Sequence, residues 1–403
     1  MAVTLQDVQY AKRRIQDFIY LSPARHSDAL SKMTGQQVFL KLDNLQRTGA
    51  FKERGALNRI LTLTDDEKRR GVIAASAGNH AQAVAFHATQ RRIRSRIVMP
   101  LMTPLVKVSS TANFGAEVVL HGANYDEACA EALRLGEADG MTFLHPFDDD
   151  AVIAGQGTIG LELLEQVADL EAIVVPIGGG GLIGGVACAI KESNSKVRVI
   201  GVQTERLPSM LRATEAGAPV TIPAQATIAD GIAVRRSGDR TLPLVQRYVD
   251  EIVTVEEEEI AKAILALLER EKTLAEGAGA VALASLLQHK TSLDGQRTAV
   301  LVCGGNIDVS LLAKIIERGL VKDGRHTRLR IHLTDRPGSL HQLTRIIADA
   351  RANIVQTSYD RSHYGVNLGD TVIDVTLETR GFEHNEELAK MLTDGGYYHE
   401  LID

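Results

Sequence analysis

The sequence predicts an α/β protein with open, mostly parallel sheets, followed by a small ferredoxin-like unit, and three observations support this fold class. Short apolar runs alternate with amphipathic helical patterns from Gly71 to about Leu320. Many of these runs are continuous stretches of Val, Ile and Leu, which are typical of strands that helices cover on both faces. The pattern changes to βαββαβ over residues 327–403, which is the order of a ferredoxin-like unit.

The strands predicted for the first region lie between residues 72 and 305. They are VIAAS (72–76), RIVMP (96–100), EVVLHG (117–122), TFLHP (142–146), AIVVPIG (172–178), VRVIGVQ (197–203), EIVTV (251–255) and TAVLVCGG (298–305). Amphipathic helical segments such as EEEEIAKAILALLEREK (256–272) separate several of them. Open parallel sheets bind ligands at the carboxyl ends of their strands, so we expect a site at the turns that follow these strands.

The second region predicts its own small domain after a polar segment, KDGRHT (322–327). Its predicted strands are TRLRIHLTD, NIVQTSYDR, DTVIDVTLETR and YYHELI, and its predicted helices are GSLHQLTRIIADARA and EELAKMLTDGG. We therefore divide the chain into residues 1–322, a linker at 323–326 and a second domain at 327–403.

Composition favours a globular protein that acts on small molecules. The 403 residues are 44% hydrophobic and 24% charged, which excludes general disorder. The formal net charge is −6 and there is no long basic block, so we expect neither a nucleic-acid nor a membrane partner. The widely spaced Cys129, Cys188 and Cys303 fit neither a disulfide framework nor a CxxC site.

The location predicted from the sequence is the cytoplasm. The charged N-terminal segment lacks the apolar core of a secretion signal, and the three cysteines suit a reducing compartment. Residues 172–190 carry no charge, but the glycines among them predict a strand, a turn and a helix rather than a membrane span.

Two clusters near the N-terminal third have residue types suited to chemistry. Lys52 follows a glycine turn at the start of an amphipathic segment, where desolvation would lower the pKa of its amine for Schiff-base chemistry. A solvated helix lysine is the alternative interpretation. The segment SAGNHAQ (76–82) joins a strand to a helix, where free backbone N–H groups can hold a carboxylate or phosphate. Ordinary helix capping by Ser76 or Asn79 explains that segment equally well.

Two further clusters follow predicted strands in the second half of the first region. The four glycines 178–181 would let the backbone wrap a phosphate, with a flexible turn as the alternative. Gly179, Gly181 and Gly184 also satisfy GxGxxG, and Glu205 follows the next strand, so a dinucleotide site stays open. CGGN (303–306) places a thiol at a strand end, although a buried cysteine is usually a core residue. For Glu276, at a predicted helix start, capping is the preferred interpretation.

Together, Lys52, SAGNHAQ, the four glycines and CGGN occur in the order and spacing of the pyridoxal-phosphate enzymes of the threonine and serine dehydratase family. The chain resembles this family over essentially its whole length. The resemblance implies the two-subdomain tryptophan-synthase-β-like fold (fold type II) for residues 1–322. The segment DRPGSL (335–340) is similar to that of an ACT regulatory domain.

The resemblance also implies roles for individual residues. Lys52 would carry the cofactor as a Schiff base and act with Ser76 in catalysis. The implied cofactor-binding residues are Phe51, Lys52, Asn79, Gly178, Gly179, Gly180, Gly181, Leu182, Gly231, Glu276, Cys303 and Gly304. The implied substrate-carboxylate residues are Ser76, Ala77, Gly78, Asn79 and His80, and the implied effector residues are Pro337, Gly338, Ser339 and Asn353.

Departures from related serine racemases narrow the expected activity. Ala77 stands where those enzymes use a second serine as the base on the opposite face, so we expect little racemisation. Gln203, Leu207 and Ser209 stand where they bind a divalent metal, so we expect no metal.

The expected activity is deamination of L-threonine to 2-oxobutanoate and ammonia, with L-serine as a secondary substrate, in isoleucine biosynthesis or threonine catabolism. Alternatives are a serine-preferring dehydratase, a hydroxy-aspartate lyase, a dinucleotide-dependent oxidoreductase and a catalytically silent amino-acid sensor. The expected partners are an amino-acid substrate, an amino-acid effector at the ACT domain and further copies of the chain in a homodimer or homotetramer. The alternative for the ACT domain is a role in assembly alone.

Overall fold

The computed structural model describes residues 2–360 and 369–402. The chain divides into two compact units, Met1–Asp308 and Val309–Asp403. Within the described ranges, no helix has the length and apolar character needed to cross a membrane.

The first unit alternates helices with strands along most of its length. Its helices are α1 (Leu5–Ile15), α2 (Asp28–Thr34), α3 (Lys52–Leu61), α4 (Asp65–Arg70), α5 (Asn79–Gln90), α6 (Leu105–Asn113), α7 (Tyr125–Asp139), α8 (Asp150–Gln166), α9 (Gly181–Ser193), α10 (Ser209–Ala216), α11 (Thr241–Tyr248), α12 (Glu257–Glu271) and α13 (Gly277–Leu287). Its strands are β1 (Ala24–His26), β2 (Gln37–Leu42), β3 (Val72–Ala75), β4 (Ser95–Met99), β5 (Glu117–Leu120), β6 (Thr142–Phe143), β7 (Ala172–Pro176), β8 (Arg198–Thr204), β9 (Glu251–Val255) and β10 (Arg297–Val302).

These strands form two open sheets. The larger sheet has the order β1-β2-β10-β7-β8-β9, in which only the β1–β2 pair is antiparallel. The smaller sheet has the order β5-β4-β3-β6 and is wholly parallel. The mostly parallel two-subdomain fold is therefore confirmed. The sequence analysis missed β1 and β2, which precede the region where alternation begins, and it made β6 too long.

Close helix packing positions the two chain segments that carry the lysine and the four glycines. A Cβ on Gly155 of α8 would lie 2.7 Å from the Cα of Gly55 on α3. A Cβ on Gly185 of α9 would lie 2.8 Å from the backbone nitrogen of Gly157 on α8. The uncharged stretch 172–190 is thus a buried strand, a glycine turn and a buried helix, as predicted.

The second unit contains α14 (Val309–Lys322), β11 (His326–Thr334), α15 (Ser339–Asp349), β12 (Asn353–Asp360), β13 (Asp370–Glu378), α16 (Phe382–Asp394) and β14 (His399–Leu401). From β11 onward the order is βαββαβ, and the antiparallel sheet runs β12-β13-β11-β14. Leu329, Ile331, Leu343, Ile347 and Leu388 belong to its core.

The division between the units falls before α14, whereas the sequence analysis assigned α14 to the first domain. The predicted linker 323–326 is a short turn that leads directly into β11 at His326. Arg361, predicted at the end of the second strand of this unit, lies outside the described residues.

A buried ion cluster connects α3 with α8 beside the end of β2. Arg54 is completely buried and donates through Nε and Nη2 to both oxygens of Asp43, at 2.7 and 2.9 Å. The same guanidinium donates to both carboxylate oxygens of Glu162. Buried Lys41 donates to Glu162 at 2.6 Å and to the carbonyl of Ser22. These charges are all paired, which burial requires.

Removing the Arg54 guanidinium should destabilise the protein strongly. Arg54→Met keeps much of the side-chain volume but leaves Asp43 and Glu162 buried without their cation, so we expect a loss of about 3–5 kcal/mol in the free energy of unfolding. Arg69→Met, which removes an exposed arginine, is the matched control and should change it by less than about 0.5 kcal/mol. Urea unfolding measures both values. Equal stability of the two variants would contradict the role given to the cluster.

Candidate active site

The turn that carries Lys52 is bound to the end of β10. Gly49 has a φ of +77°, a left-handed conformation that glycine adopts without strain. Residues 49–51 then run antiparallel to residues 303–305: the N–H of Phe51 donates to the carbonyl of Cys303, and the N–H of Gly305 donates to the carbonyl of Gly49, each at 2.9 Å. Two motifs about 250 residues apart in sequence therefore lie side by side.

Lys52 is the first residue of α3, and its amine is held away from bulk water. Its Nζ donates to the carbonyl of Pro146 at 2.7 Å and lies 5.2 Å from the centroid of the Phe51 ring. Burial lowers the pKa of Lys52 to about 8, against the opposing influence of Cys303 and Glu276. A larger fraction of free amine is present near neutral pH than in a solvated lysine, as Schiff-base chemistry requires.

The SAGNHAQ segment leaves the first turn of α5 without a side-chain cap. Gly78 is the N-cap residue, and Ser76 Oγ accepts from the N–H of Gly78 at 3.1 Å. Asn79 does not cap the helix, because its side chain is directed to Glu276. The first N–H groups of α5 have no partner within the helix and can bind an anion.

His80 contributes to this segment through its backbone rather than its ring. The ring is buried, and its Nε2 lies 2.9 Å from the carbonyl of Leu144. Burial and the nearby charge of Lys52 lower the pKa of His80 to about 3, so the imidazole is neutral at neutral pH.

Two asparagine amides connect the lysine turn, the SAGNHAQ segment and CGGN. Asn79 Nδ2 donates to Glu276 Oε1 at 2.6 Å, while Asn306 Nδ2 donates to Asn79 Oδ1 at 2.8 Å. The same Asn306 amide donates to the carbonyl of Thr48 at 2.7 Å. Asn306 is the last residue of CGGN, and no role for it was predicted from the sequence. Its place in CGGN was the only indication in the sequence that it belongs to the site. A hydrogen bond between two loops that are far apart in the chain leaves no local sequence pattern.

Glu276 is a buried member of the site rather than a helix cap. It precedes α13 without making a side-chain cap and is only 4% exposed. Burial raises its pKa to about 7, with a further contribution from Asp230, while the amide of Asn79 opposes the shift. A Cβ on Gly231 would lie 3.3 Å from Glu276 Oε1, and one on Gly304 would collide with that oxygen. The structure thus brings these three predicted residues together.

Cys303 presents a neutral thiol at the end of β10. It is buried, and its Sγ lies 3.5 Å from the carbonyl of Ala278. Burial raises the pKa of this thiol well above its ordinary value, and the charge of Glu276 acts in the same direction. The thiol therefore remains protonated near neutral pH.

The four glycines form a tight cradle between β7 and α9. A Cβ on Gly179 or Gly181 would lie closer than 3.0 Å to Phe147, and one on Gly180 would meet Met210 equally closely. Gly180 also has a φ of +95° and is the N-cap of α9, with no side-chain cap. Gly179, Gly180 and Gly181 are therefore packed too closely for any larger residue. Leu182 follows in the first helical turn, whose N–H groups are free of helical partners.

Four further residues were singled out in the sequence: Glu205 for a dinucleotide site, and Gln203, Leu207 and Ser209 at the positions where serine racemases bind a metal. Glu205 is exposed after β8. Gln203 is buried, and its Oε1 accepts the N–H groups of Met210 and Leu211 at 3.1 and 2.9 Å. Leu207 and Ser209 are also buried. In the described part of the chain, no group of three or more His, Cys, Asp or Glu side chains could hold a metal ion.

The residues present fit pyridoxal phosphate. The site combines a partly buried amine of lowered pKa with a glycine cradle in which a Cβ would collide, a free helix N-terminus and a neutral buried thiol. The fold and this set of groups define a pyridoxal-phosphate-dependent enzyme of fold type II.

Comparison with known proteins identifies the family. The model of the family described as "Pyridoxal-phosphate dependent enzyme" matches residues 15–304. The chain is 48% identical over 400 residues to the L-threonine ammonia-lyase of Thermotoga maritima, covering 99% of this chain and 100% of that protein. It is 44% identical to the catabolic L-threonine dehydratase of Escherichia coli, over 78% of this chain and 96% of that protein. The structure of maize serine racemase is similar with a TM-score of 0.75 and 34% identity, over 80% of this chain and 99% of that one.

The chain belongs to the threonine dehydratase (threonine ammonia-lyase) family of pyridoxal-phosphate-dependent enzymes. The dinucleotide interpretation of Gly179, Gly181 and Gly184 is wrong, because the family that the glycine turn belongs to uses pyridoxal phosphate.

The raised pKa of Glu276 predicts a pH-dependent stability. A carboxyl whose pKa is raised by folding binds its proton more tightly in the folded chain, so its contribution is present below about pH 4.5 and is lost as the pH rises through about 7. Glu276→Gln removes this titration. At pH 8 the cofactor-free variant should be more stable than the wild type by about 3 kcal/mol, and the difference should shrink towards pH 5.

Urea unfolding of both cofactor-free proteins at several pH values measures this difference. Glu165→Gln, at an exposed glutamate, is the control and should change stability by less than about 0.5 kcal/mol at each pH. A constant difference between Glu276→Gln and the wild type from pH 5 to pH 8 would show that Glu276 does not titrate in that range.

Proposed function

We propose that this protein is an L-threonine ammonia-lyase, which releases ammonia from L-threonine and leaves 2-oxobutanoate. The observation that carries the proposal is the Lys52 amine, whose pKa is lowered to about 8 where the glycine cradle, the SAGNHAQ segment and CGGN meet. The full-length identity to the Thermotoga maritima enzyme supports the choice of substrate.

Lys52 acts as the general base. Its amine, free once the substrate amine has taken its place, removes the proton from the substrate Cα. The carbonyl of Pro146 holds that amine at 2.7 Å and thereby sets the point from which the proton is taken. When bound, pyridoxal phosphate supplies an electron sink for the carbanion at Cα.

The SAGNHAQ segment binds the substrate carboxylate. The backbone N–H groups of residues 77–80 and the hydroxyl of Ser76 are the donors, and the helix dipole of α5 adds favourable charge. Ala77, Gly78, Asn79 and His80 thus act here through their backbone, since the His80 ring bonds to Leu144.

The remaining site residues hold the cofactor. The N–H groups of Gly178, Gly179, Gly180, Gly181 and Leu182 would hold its phosphate. The Asn79 amide would donate to the ring oxygen, and Phe51, Gly231, Glu276 and Gly304 would border the ring. Cys303 would contact the ring nitrogen, and its neutral thiol would not favour protonation of the ring. A neutral group in this place would favour loss of the β-hydroxyl over other fates of the substrate.

Racemisation is disfavoured at this site, despite the structural similarity to maize serine racemase. Inversion at Cα needs an acid or base on each face of the substrate, and Ala77 has neither. L-Serine, which also carries a β-hydroxyl, is the secondary substrate, and a serine preference or activity on hydroxy-aspartate are the alternatives.

Residues 327–403 form an ACT regulatory domain that binds an amino-acid effector. Gly338 is the uncapped N-cap of α15, and Pro337 and Ser339 flank it. Asn353 begins the neighbouring strand β12, and its Nδ2 lies 3.4 Å from Glu378 Oε2. The alternative role of this domain is assembly alone. We further propose that the protein is a cytoplasmic homodimer or homotetramer that acts in isoleucine biosynthesis.

The catalytic assignment is tested with Lys52→Ala. The wild type should show the visible absorbance of lysine-bound pyridoxal phosphate and form a 2-oxo acid from L-threonine faster than from L-serine or 3-hydroxy-aspartate, without forming D-serine. Lys52→Ala should lose both the band and the product, because it lacks the attaching amine and the base. Lys68→Ala, at a lysine whose side chain is 41% exposed, should retain both. A wild type that binds the cofactor but leaves L-threonine unchanged would refute the substrate assignment.

The effector assignment is tested by thermal unfolding with L-isoleucine or L-valine. One of them should raise the unfolding temperature of the wild type, since a ligand of the folded state stabilises it. Ser339→Glu should abolish the shift: its charge suits the helix N-terminus but repels an amino-acid carboxylate there. Gln356→Glu, an exposed position on β12, adds the same charge and should keep the shift. No shift with any amino acid would leave assembly as the domain's role.

A further inference from the structure

The segment His145–Asp148 touches both the lysine and the glycine cradle. It follows β6 and precedes α8, and the sequence analysis treated its first two residues as strand. The Pro146 carbonyl accepts from the Lys52 amine at 2.7 Å, and Phe147 lies against Gly179 and Gly181. We call residues 145–148 the HPFD turn.

The ring of His145 holds the HPFD turn together. Its Nδ1 accepts the N–H of Phe147 at 3.2 Å and that of Asp148 at 2.7 Å. A nitrogen that accepts two hydrogen bonds carries no proton, so the neutral ring carries its proton on Nε2. The ring also packs edge-on against the Phe147 ring, at 4.6 Å between centroids. The carbonyl of Pro146 lies between the anchored residues.

The end of the HPFD turn supports the glycine cradle from the other side. The Asp148 carboxylate accepts the N–H groups of Asp239 and Arg240 at 3.1 and 2.9 Å. Thr241, which follows them, donates its hydroxyl to the carbonyl of Gly179 at 2.6 Å. A shift of the HPFD turn would therefore disturb the cradle as well as Lys52.

We propose that His145 is a positioning residue for Lys52: its unprotonated Nδ1 fixes the turn whose Pro146 carbonyl holds the lysine amine, and protonation of the ring releases that turn. The inference rests on the proposed role of Lys52. It adds to that role a residue that touches neither the substrate nor the lysine directly.

Burial favours the neutral ring of His145, and charged groups face it from several segments. Lys52 faces it from α3 and His80 from α5, while Asp148 and Asp149 belong to its own segment. Burial is the largest influence and lowers the pKa of His145, Lys52 lowers it further, and the two aspartates oppose the shift. The protonated ring is thus confined to acidic solution, where Nδ1 becomes a donor and repels the two N–H groups.

Two substitutions of His145 test whether its role depends on the hydrogen-bond acceptor Nδ1 or on the volume of the side chain. The Oδ1 of asparagine can accept the same two N–H groups but cannot take up a proton in this range, whereas leucine fills the space without an acceptor. At pH 8, His145→Leu should bind pyridoxal phosphate about tenfold more weakly and lose at least about 100-fold in kcat with little change in KM, because the base is displaced. His145→Asn should stay within about threefold of the wild type in all three quantities.

The dependence of cofactor affinity on pH in acidic solution gives an independent test. In acidic solution, below the ordinary histidine pKa of about 6.5, the wild type should lose affinity for pyridoxal phosphate, followed by its visible absorbance, while His145→Asn keeps that affinity. This comparison still holds if the leucine variant fails to fold, which thermal unfolding reports.

Two results would overturn the inference. One is equal cofactor affinity and kcat for the leucine and asparagine variants, and the other is an unchanged acid limb in His145→Asn. Cofactor affinity is measured without L-threonine, so an error in the proposed substrate does not affect this readout.

Discussion

The geometry of the site depends on the burial of Arg54 between Asp43 and Glu162. Moving three charges out of water is costly, and only full pairing with good geometry offsets that cost. The pairing constrains how α3 packs on α8, because the guanidinium bonds to both oxygens of each carboxylate. Lys52 begins α3, so the ion cluster helps to fix where the Lys52 amine lies. Glycine contacts continue the same packing from α8 to α9, which carries the cradle.

Burial favours the neutral form of three site residues. It lowers the pKa of the Lys52 amine and raises those of the Glu276 carboxyl and the Cys303 thiol. Each shift favours the neutral form, since a low dielectric penalises charge. The result is a lysine with a larger fraction of free amine and a thiol that stays protonated. Hydrogen bonds from side-chain amides connect Asn306 to Asn79 and Asn79 to Glu276.

Three of the four motifs, SAGNHAQ, the four glycines and CGGN, follow a predicted strand, where parallel sheets bind ligands. Lys52 follows a glycine turn instead, and the structure places that turn beside CGGN. The motifs gave no indication of two residues whose side chains hold separate loops or turns in place. Asn306 connects two loops, and His145 anchors a turn that the alternating apolar pattern had extended into a strand. Such hydrogen bonds produce no periodic pattern in the sequence, so they cannot be predicted from it.

The sequence by itself determined the fold class, the family and the chemical types at the site, because apolar periodicity and short glycine-rich motifs are local properties. It did not determine whether Glu276 caps a helix or titrates in a buried site, nor whether Lys52 is solvated. Those outcomes depend on burial and on neighbours hundreds of residues away in the chain. Only the tertiary structure placed Glu276 beside Asn79 and the Lys52 amine against Pro146, and long-range packing is the physical reason.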